Sequence, residues 1–157
     1  MRHAVFVLLA VIGVAGCAAQ PVQGSAQDPV GNVAAASDAR IPDNLRGTEW
    51  RFIEIEGAAV PDGVVATLRL RGNRASGKAG CNSYGASWQV SADGSARFGE
   101  IMSTKMACLE PAGAMQVERG VFGVLQRTTR LCRDGDNLVL LDASGRPLAK
   151  LVPDGSS

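Results

Sequence analysis

Cysteine has the widest chemical repertoire of the residue types in this 157-residue chain, which carries it at positions 17, 81, 108 and 132. Thiols can be acylated, joined in disulfides, bound to zinc or used in redox catalysis. No Cys-x-x-Cys spacing occurs, which argues against a thiol oxidoreductase. A zinc site made by Cys81, Cys108 and Cys132 is an alternative for which the sequence offers no obvious fourth ligand.

The N-terminal sequence predicts the chemistry of Cys17. A short positive start is followed by 11 small or apolar residues, Ala4 to Val14. A membrane-spanning helix needs roughly 20 such residues, so this run is typical of an export signal. The run ends in Val14-Ala15-Gly16-Cys17, which resembles the bacterial lipoprotein signal. Residues 1–16 are therefore predicted to be removed and Cys17 to be acylated. The alternative is an ordinary secretory signal cut after Gly16 or Ala19, in which Cys17 is incidental.

The lipoprotein interpretation predicts a location in the cell envelope. No Asp follows Cys17, and by resemblance to Gram-negative lipoproteins this favours the outer membrane, facing the periplasm. Two or three acyl chains on Cys17 make the membrane a stable partner. Residues 17–44 are rich in Ala, Gly, Pro, Ser and Gln and lack periodicity, so they are predicted to be a flexible tether. A coil of that length spans roughly 30 Å.

Removal of the signal would also remove His3, the only histidine of the chain. Without imidazole, the mature chain has no Ser-His-Asp or Cys-His nucleophile pair and no histidine-bound metal. Glu54 and Glu56 share one face of a predicted strand, but seven aromatic residues offer little for a sugar-stacking cleft. We therefore predict no enzymatic activity, no cofactor and no metal site.

Residues 72–78 nearly match a phosphate-binding loop that ends in Lys78. That loop needs Ser or Thr after its lysine to bind Mg²⁺, and Ala79 stands there instead. Nucleotide binding is not predicted, and Lys78 is interpreted as an exposed turn residue. The net charge of +1 provides no excess of positive charge for nucleic acid, so no nucleic-acid partner is predicted.

Hydrophobic patterning predicts the elements of one body, residues 45–153, followed by a disordered tail at 154–157. Alternation changes phase within Thr48–Glu56, which predicts a strand with a bulge. Alternating residues at 66–70 and the segments 137–141 and 148–152 predict further strands in hairpins. One helix is predicted to begin at Pro111 and to pack on the sheet. The expected fold class is α+β, with a curved, mostly antiparallel β-sheet, a partial barrel, packed against one main α-helix.

The periplasm oxidises thiols, so cysteine pairing is expected in the body. Three thiols allow three single pairings and leave one cysteine over. We favour Cys81–Cys108, for which a separation of 27 residues corresponds to about 3.5 kcal/mol of loop entropy. Cys132 is then interpreted as a small buried apolar residue.

Two motifs in the middle of the body carry a family resemblance. They are Gly80-Cys81-Asn82-Ser83-Tyr84 and, after a strand and a turn, Ser103-Thr104-Lys105-Met106-Ala107-Cys108. From about Leu45 to Val152 the sequence resembles the META domain, also called the HslJ-like family. This sequence departs from the usual family pattern near Cys132, where an aromatic residue is common. The resemblance implies a curved antiparallel sheet on one helix, with no established catalytic residues. The resemblance implies a structural role for five motif positions, Gly80, Asn82, Tyr84, Thr104 and Met106.

The resemblance also implies a class of function. Family members have been linked to heat shock, novobiocin resistance and, in parasites, motility or secretion. We therefore expect a monomeric, non-enzymatic, lipid-anchored periplasmic domain that supports envelope integrity or stress tolerance by contacting an unidentified envelope protein. One alternative is a carrier whose sheet and helix enclose a small apolar ligand or an acyl chain. Another is a pilot-like helper of an envelope secretion complex, since the fold resembles that of a lipoprotein pilot of secretins.

Overall fold

The structure, a computed structural model, describes residues 45–155. The predicted signal at 1–16, the tether at 17–44 with Cys17, and residues 156–157 of the tail lie outside the described residues. In chain order the elements are β1 (Thr48–Ile55), β2 (Ala58–Ala59), β3 (Thr67–Arg71), β4 (Arg74–Ala79), β5 (Asn82–Val90), β6 (Ala96–Phe98), β7 (Met102–Ser103), α1 (Ala114–Arg127), β8 (Arg130–Asp134), β9 (Asn137–Leu141) and β10 (Pro147–Pro153).

The strands form one antiparallel sheet that curls into a nearly closed barrel. Its order is β6-β5-β4-β3-β1-β10-β9-β8, with β2 added to β1 and β7 added to β5. The two ends of the sheet meet through the Ser95–Arg130 bridge. There the Leu131 N–H donates to the Gly94 carbonyl at 2.9 Å. This architecture with one helix confirms the expected α+β fold class.

The bulge predicted in the first strand is confirmed. Phe52 faces Leu151 of β10, whereas Glu54 faces Lys150, so the register shifts by one residue between Phe52 and Glu54. The shift keeps both Phe52 and Ile55 buried although they lie three residues apart. A bulge is the ordinary way for one strand to change the face that it presents to the core.

Helix α1 lies on the inner side of the sheet. Its apolar stripe joins the same core as the inward side chains of the strands, and its buried members are Ala114, Val117, Val121, Val124 and Leu125. The helix begins at Ala114, so the prediction that Pro111 is its first residue was wrong. Gly113, at φ 86°, turns the chain into the helix, while the Pro111 carbonyl accepts from the Ala114 N–H at 3.1 Å.

Strands β4 and β5 are longer than the sequence pattern indicated. Lys78 was predicted to lie in a turn, but it is an exposed residue of β4 that faces Ser83 of β5. Small residues fill this part of the sheet and give little strand signal on their own. Position 77 requires glycine, because a Cβ there would lie 2.1 Å from the Thr67 carbonyl oxygen.

The C-terminal hairpin depends on Asp142 in the turn between β9 and β10. Its carboxylate accepts from the Ser144 hydroxyl at 2.6 Å and from the Arg146 N–H at 3.0 Å. These hydrogen bonds, together with the positive charge of Arg146, lower the pKa of Asp142 to about 2.

We expect Asp142→Asn to change how the free energy of unfolding depends on pH under acidic conditions. The folded-state pKa lies below the unfolded value of about 3.9, so the carboxylate stabilises the fold above that pH and loses its contribution as the pH falls toward 2. The free energy of unfolding of Asp142→Asn should therefore fall less steeply between about pH 4 and pH 2 than that of the parent. Urea titrations across this range measure the difference, and parallel curves would contradict it.

Candidate functional site

The tight turn between β4 and β5 places the first family motif against the start of the helix. Gly80 has a φ of 61°, and its N–H donates to the Val65 carbonyl at 2.8 Å. A Cβ at Gly80 would lie 2.2 Å from the carbonyl oxygen of Ala114, the first residue of α1. Both a left-handed backbone and a close approach therefore require glycine at this position.

Asn82, the first residue of β5, connects three parts of the molecule. Its amide nitrogen donates to the Met106 carbonyl at 2.9 Å and to the Glu118 carboxylate of α1 at 2.7 Å. Its amide oxygen accepts from the Thr104 hydroxyl at 2.7 Å and from the Met106 N–H at 2.8 Å. Both donor hydrogens and both acceptor positions of the amide are thus used, and the side chain is buried.

The β7–α1 loop, residues 104–113, is the segment that Asn82 holds. Thr104 extends the pairing of β7 with β5, since its N–H donates to the Ser83 carbonyl at 3.1 Å and its hydroxyl accepts from the Ser83 N–H at 3.2 Å. Thr104 thus joins the loop to β5, and Asn82 fixes a loop that starts more than twenty residues after it.

Tyr84 is a core residue at the barrel wall. Its hydroxyl donates to the Thr67 carbonyl at 2.8 Å, and its ring meets Phe122 of α1 edge-on at 5.7 Å between centroids. Burial raises the pKa of the Tyr84 phenol far above its usual range, so the group stays neutral and acts as a hydrogen-bond donor. Tyr84 therefore helps to join the sheet to the helix.

Met106 differs from the structural role expected of it. Its backbone takes part in the Asn82 contacts, but its side chain is 55% exposed. Met102 and Leu109 are also exposed, by 77% and 94%. The motif thus fixes the backbone of the β7–α1 loop while three large apolar side chains in and beside it remain in solvent. We call Met102, Met106 and Leu109 the apolar ridge.

The predicted disulfide is confirmed. Cys81 and Cys108 are bonded, with their Cα atoms 5.8 Å apart, and the bond ties the β4–β5 turn to the β7–α1 loop. Cys132 is buried beside Val139 and Leu141 in a small cluster apart from the main core. No cysteine within residues 45–155 is free, so the expectation of one leftover thiol is not met.

Comparison with known proteins agrees with this arrangement. The profile of the META domain family matches residues 43–154. The chain belongs to the META domain family. A search of curated proteins finds no significant match.

Two solved structures resemble this META domain in fold. One is an NMR structure of a protein from Burkholderia xenovorans, with 24% identity and a TM-score of 0.59, covering 82% of this chain and 99% of that one. The other is a further NMR structure of a protein, with 18% identity and a TM-score of 0.55, covering 70% of this chain and 92% of that one. These similarities concern the fold alone.

Glu118 is the site residue that sequence reasoning missed. It is a half-buried residue of α1 beside the apolar stripe, next to Val117 and one turn after Ala114. A carboxylate at such a position needs a polar partner. That partner is the Asn82 amide, 36 residues away in sequence.

The other carboxylates considered from the sequence are not brought together as a pair. β1 ends at Ile55, and Glu56 follows with a φ of 51° and forms an ion pair with Arg127 of α1. Glu54 instead faces Lys150 on β10. The prediction that Glu54 and Glu56 share one strand face was therefore wrong.

A groove of about 590 Å³ lies between the first half of α1 and the β1–β2 hairpin. Its walls are mostly small or apolar and include Ile55, Ala58, Ala59, Val60, Val117 and Gly120. Gly120 allows close packing here, since a Cβ on it would lie 2.9 Å from the Ile55 side chain. The groove lies outside the packed core of the barrel, whose interior is filled by side chains such as Trp88, Phe52 and Leu68.

We expect Cys108→Ser to lower the free energy of unfolding by about 3.5 kcal/mol, because the variant loses a cross-link that closes 27 residues. It should also leave Cys81 open to alkylation in an unfolded, non-reduced sample. Urea unfolding and mass spectrometry of the alkylated peptides measure the two effects. Alkylation of Cys81 in the unreduced parent would contradict the pairing.

Proposed function

We propose that this META domain is a non-enzymatic, lipid-anchored protein of the cell envelope that supports envelope integrity or stress tolerance through protein contacts. The observation that carries the proposal is the apolar ridge on a firmly held loop. The family motif supplies the Asn82 hydrogen bonds and the Cys81–Cys108 bond that hold this loop. The motif therefore holds in place the loop that carries Met106 and Leu109 of the apolar ridge.

The energetics of the apolar ridge favour association with another protein. Burial of one large apolar side chain contributes about 1.5–3 kcal/mol, and Leu109 is almost fully exposed here. Exposed apolar patches on a soluble domain are typical of interaction sites, and Met102, Met106 and Leu109 lie close together in sequence, in and beside one loop. Because the loop is already held by Asn82 and the disulfide, binding would require little further ordering.

The polar groups of the motif support a structural role over catalysis. The Asn82 amide makes its hydrogen bonds within the domain, and the Tyr84 hydroxyl donates to a backbone carbonyl. General acid–base chemistry needs a group that can exchange a proton with a substrate. These groups are committed to the fold instead.

Membrane anchoring rests on the sequence around Cys17. The signal resembles that of bacterial lipoproteins, and acyl chains on Cys17 would hold the domain at the outer membrane, within reach of envelope proteins. Within residues 45–155, α1 is too short and too polar to cross a bilayer. Incorporation of labelled palmitate into the parent and into Cys17→Ser tests the anchor directly.

Photo-crosslinking in intact cells tests the protein contact. A photo-activatable amino acid at Leu109, on the apolar ridge, should capture one or a few envelope proteins. The same amino acid at Asp136, exposed in the β8–β9 turn, is the matched control and should capture none of them. Identical products from both positions, or none from Leu109, would overturn the proposal. Capture of a secretion channel would identify the pilot-like form of this function.

The groove beside α1 supports a carrier of an acyl chain as a second candidate function. Its volume of about 590 Å³ lies in the range of small-molecule sites, and its lining is mostly apolar. A carrier should bind a fluorescent fatty acid in a saturable way, and Ala59→Phe should weaken that binding by filling the groove. Ala112→Phe, an exposed position outside the lining, is the control. Absence of saturable binding would eliminate the carrier.

A further inference from the structure

One outer face of the barrel concentrates exposed cations although the chain is nearly neutral. On β1, β3 and β4 the inward residues, such as Trp50, Leu68 and Ala75, are buried, while the alternating outward residues are mostly arginine or lysine. We call this face the cationic wall; its exposed cations are Arg51, Arg69, Arg71, Arg74 and Lys78. They are five of the 16 lysines and arginines of the chain.

Acidic groups also lie on and beside these strands. On β1, Glu49 forms ion pairs with Arg69 and with Arg71, the latter at 3.5 Å, and Glu54 is exposed past the bulge and faces Lys150 of β10. Asp154 and Glu100 lie at opposite margins of the wall, near Arg69 and beside Arg74 respectively. Arg51 and Lys78 form no salt bridge within residues 45–155, so the positive excess of the wall lies mainly on these two side chains.

Arg71 and Arg74 are direct cross-strand partners at the β3–β4 turn. Like charges directly opposite each other destabilise a sheet. The Glu49 carboxylate, 3.5 Å from Arg71, offsets this repulsion in part.

Across β4 and β5 the wall continues into a cleft of about 800 Å³ that Arg74 and Met102 help to line. Ser76 of β4 faces Gly85 of β5, which faces Met102 of β7. Small side chains thus separate the cations from the exposed thioether of Met102. A basic surface suits an anionic bilayer, whose phosphate groups attract arginine and lysine side chains.

The point of chain entry places the wall near the predicted anchor. Arg46, next to the first described residue, donates to the Asn73 side chain at 3.0 Å and to the Gly72 carbonyl. Gly72 and Asn73 form the turn between Arg71 and Arg74. The tether from Cys17 therefore joins the domain beside Arg71 and Arg74 of the wall.

We propose that the cationic wall docks the domain on an anionic phospholipid bilayer. The proposal uses the proposed lipid anchor only to bring the bilayer close; the attraction itself depends on described residues. Each cation near an anionic bilayer strengthens binding about fivefold. The wall would thus orient the domain with α1, on the inner side of the sheet, away from the lipid.

Vesicle flotation of residues 18–157, which lack the signal and the acylated cysteine, tests the wall without the anchor. We expect binding to vesicles of phosphatidylethanolamine with phosphatidylglycerol and none to vesicles of phosphatidylcholine. Raising the salt from about 0.1 M to about 1 M should release the protein, because the Debye length falls from about 10 Å to about 3 Å. Binding that is absent, or insensitive to salt, would overturn the proposal.

Paired charge variants locate the contact. Arg71→Gln with Arg74→Gln should weaken binding about 25-fold, two steps of about fivefold. The matched control, Arg119→Gln with Arg127→Gln, has the same net charge and should stay within about twofold of the parent, since those charges lie on α1 and not on the wall. Equal losses in both pairs would overturn the wall, as would capture of an acidic protein by the wall without vesicle binding. Neither result affects palmitate labelling of Cys17 or crosslinking from Leu109. Docking of the wall on a bilayer can therefore be disproved while the proposed lipid anchor and protein contact stand, and the reverse.

Discussion

Replacing Asn82 by alanine is expected to lower the free energy of unfolding by about 4 kcal/mol. The change removes four hydrogen bonds, three to neutral groups worth about 1 kcal/mol each and one to the Glu118 carboxylate worth somewhat more. It also leaves the Met106 N–H and carbonyl near the buried site without their partner. Urea unfolding followed by fluorescence measures the loss.

The control for Asn82→Ala is Asn73→Ala. Asn73 also accepts a side-chain hydrogen bond, from Arg46, but it lies exposed in the β3–β4 turn, so its loss should cost about 1 kcal/mol or less. Hydrogen exchange adds a local readout, because Asn82→Ala should release the Met106 amide before global unfolding. Equal destabilisation by both variants would show that Asn82 is not the centre of the brace.

The features predicted correctly from the sequence depend on short-range patterns. The bulge in β1 follows from a change of alternation between Phe52 and Ile55, and the Asp142 turn follows from Ala143-Ser144-Gly145 between two apolar runs. Cys81–Cys108 is the favoured one of the three pairings that the thiols of the body allow in the predicted oxidising compartment. The bulge and the turn need only neighbouring residues, whereas the count of thiols narrows the pairing without deciding it.

The features missed depend on contacts between distant segments. β4 reads Arg-Ala-Ser-Gly-Lys-Ala, a composition with low strand propensity, and it is a strand because β3 and β5 pair with it on both sides. The helix start moved from Pro111 to Ala114 because the chain must first turn at Gly113. The partnership of Asn82 with Glu118 required knowing which face of α1 meets the β4–β5 turn.

The same reasoning separates the motif from the surfaces that we propose to be functional. Asn82 and Tyr84 are recognisable in sequence because they serve the fold, and their polar atoms are used inside it. The cationic wall has no motif, and of the apolar ridge only Met106 belongs to one. The pairing of β1, β3 and β4 shows that the cations share one face, and the exposure of Met102, Met106 and Leu109 defines the ridge.

Gly80→Ala is expected to destabilise the domain by about 4 kcal/mol, for two reasons that can be measured apart. A φ of 61° costs about 1 kcal/mol or more for an L-residue with a Cβ. The new Cβ would also meet the Ala114 carbonyl oxygen at 2.2 Å and its carbon at 2.8 Å, so the start of α1 must move, at a cost of about 1–3 kcal/mol.

Gly135→Ala isolates the backbone contribution. Gly135, in the β8–β9 turn, has a φ of 60°, and a Cβ there would meet nothing within 4 Å. Its substitution should therefore lower the free energy of unfolding by only about 1 kcal/mol. The difference between the two variants is the free energy of the contact between the β4–β5 turn and α1. If Gly80→Ala were no worse than Gly135→Ala, the helix would yield without cost, and the turn that begins the family motif would not set the position of α1.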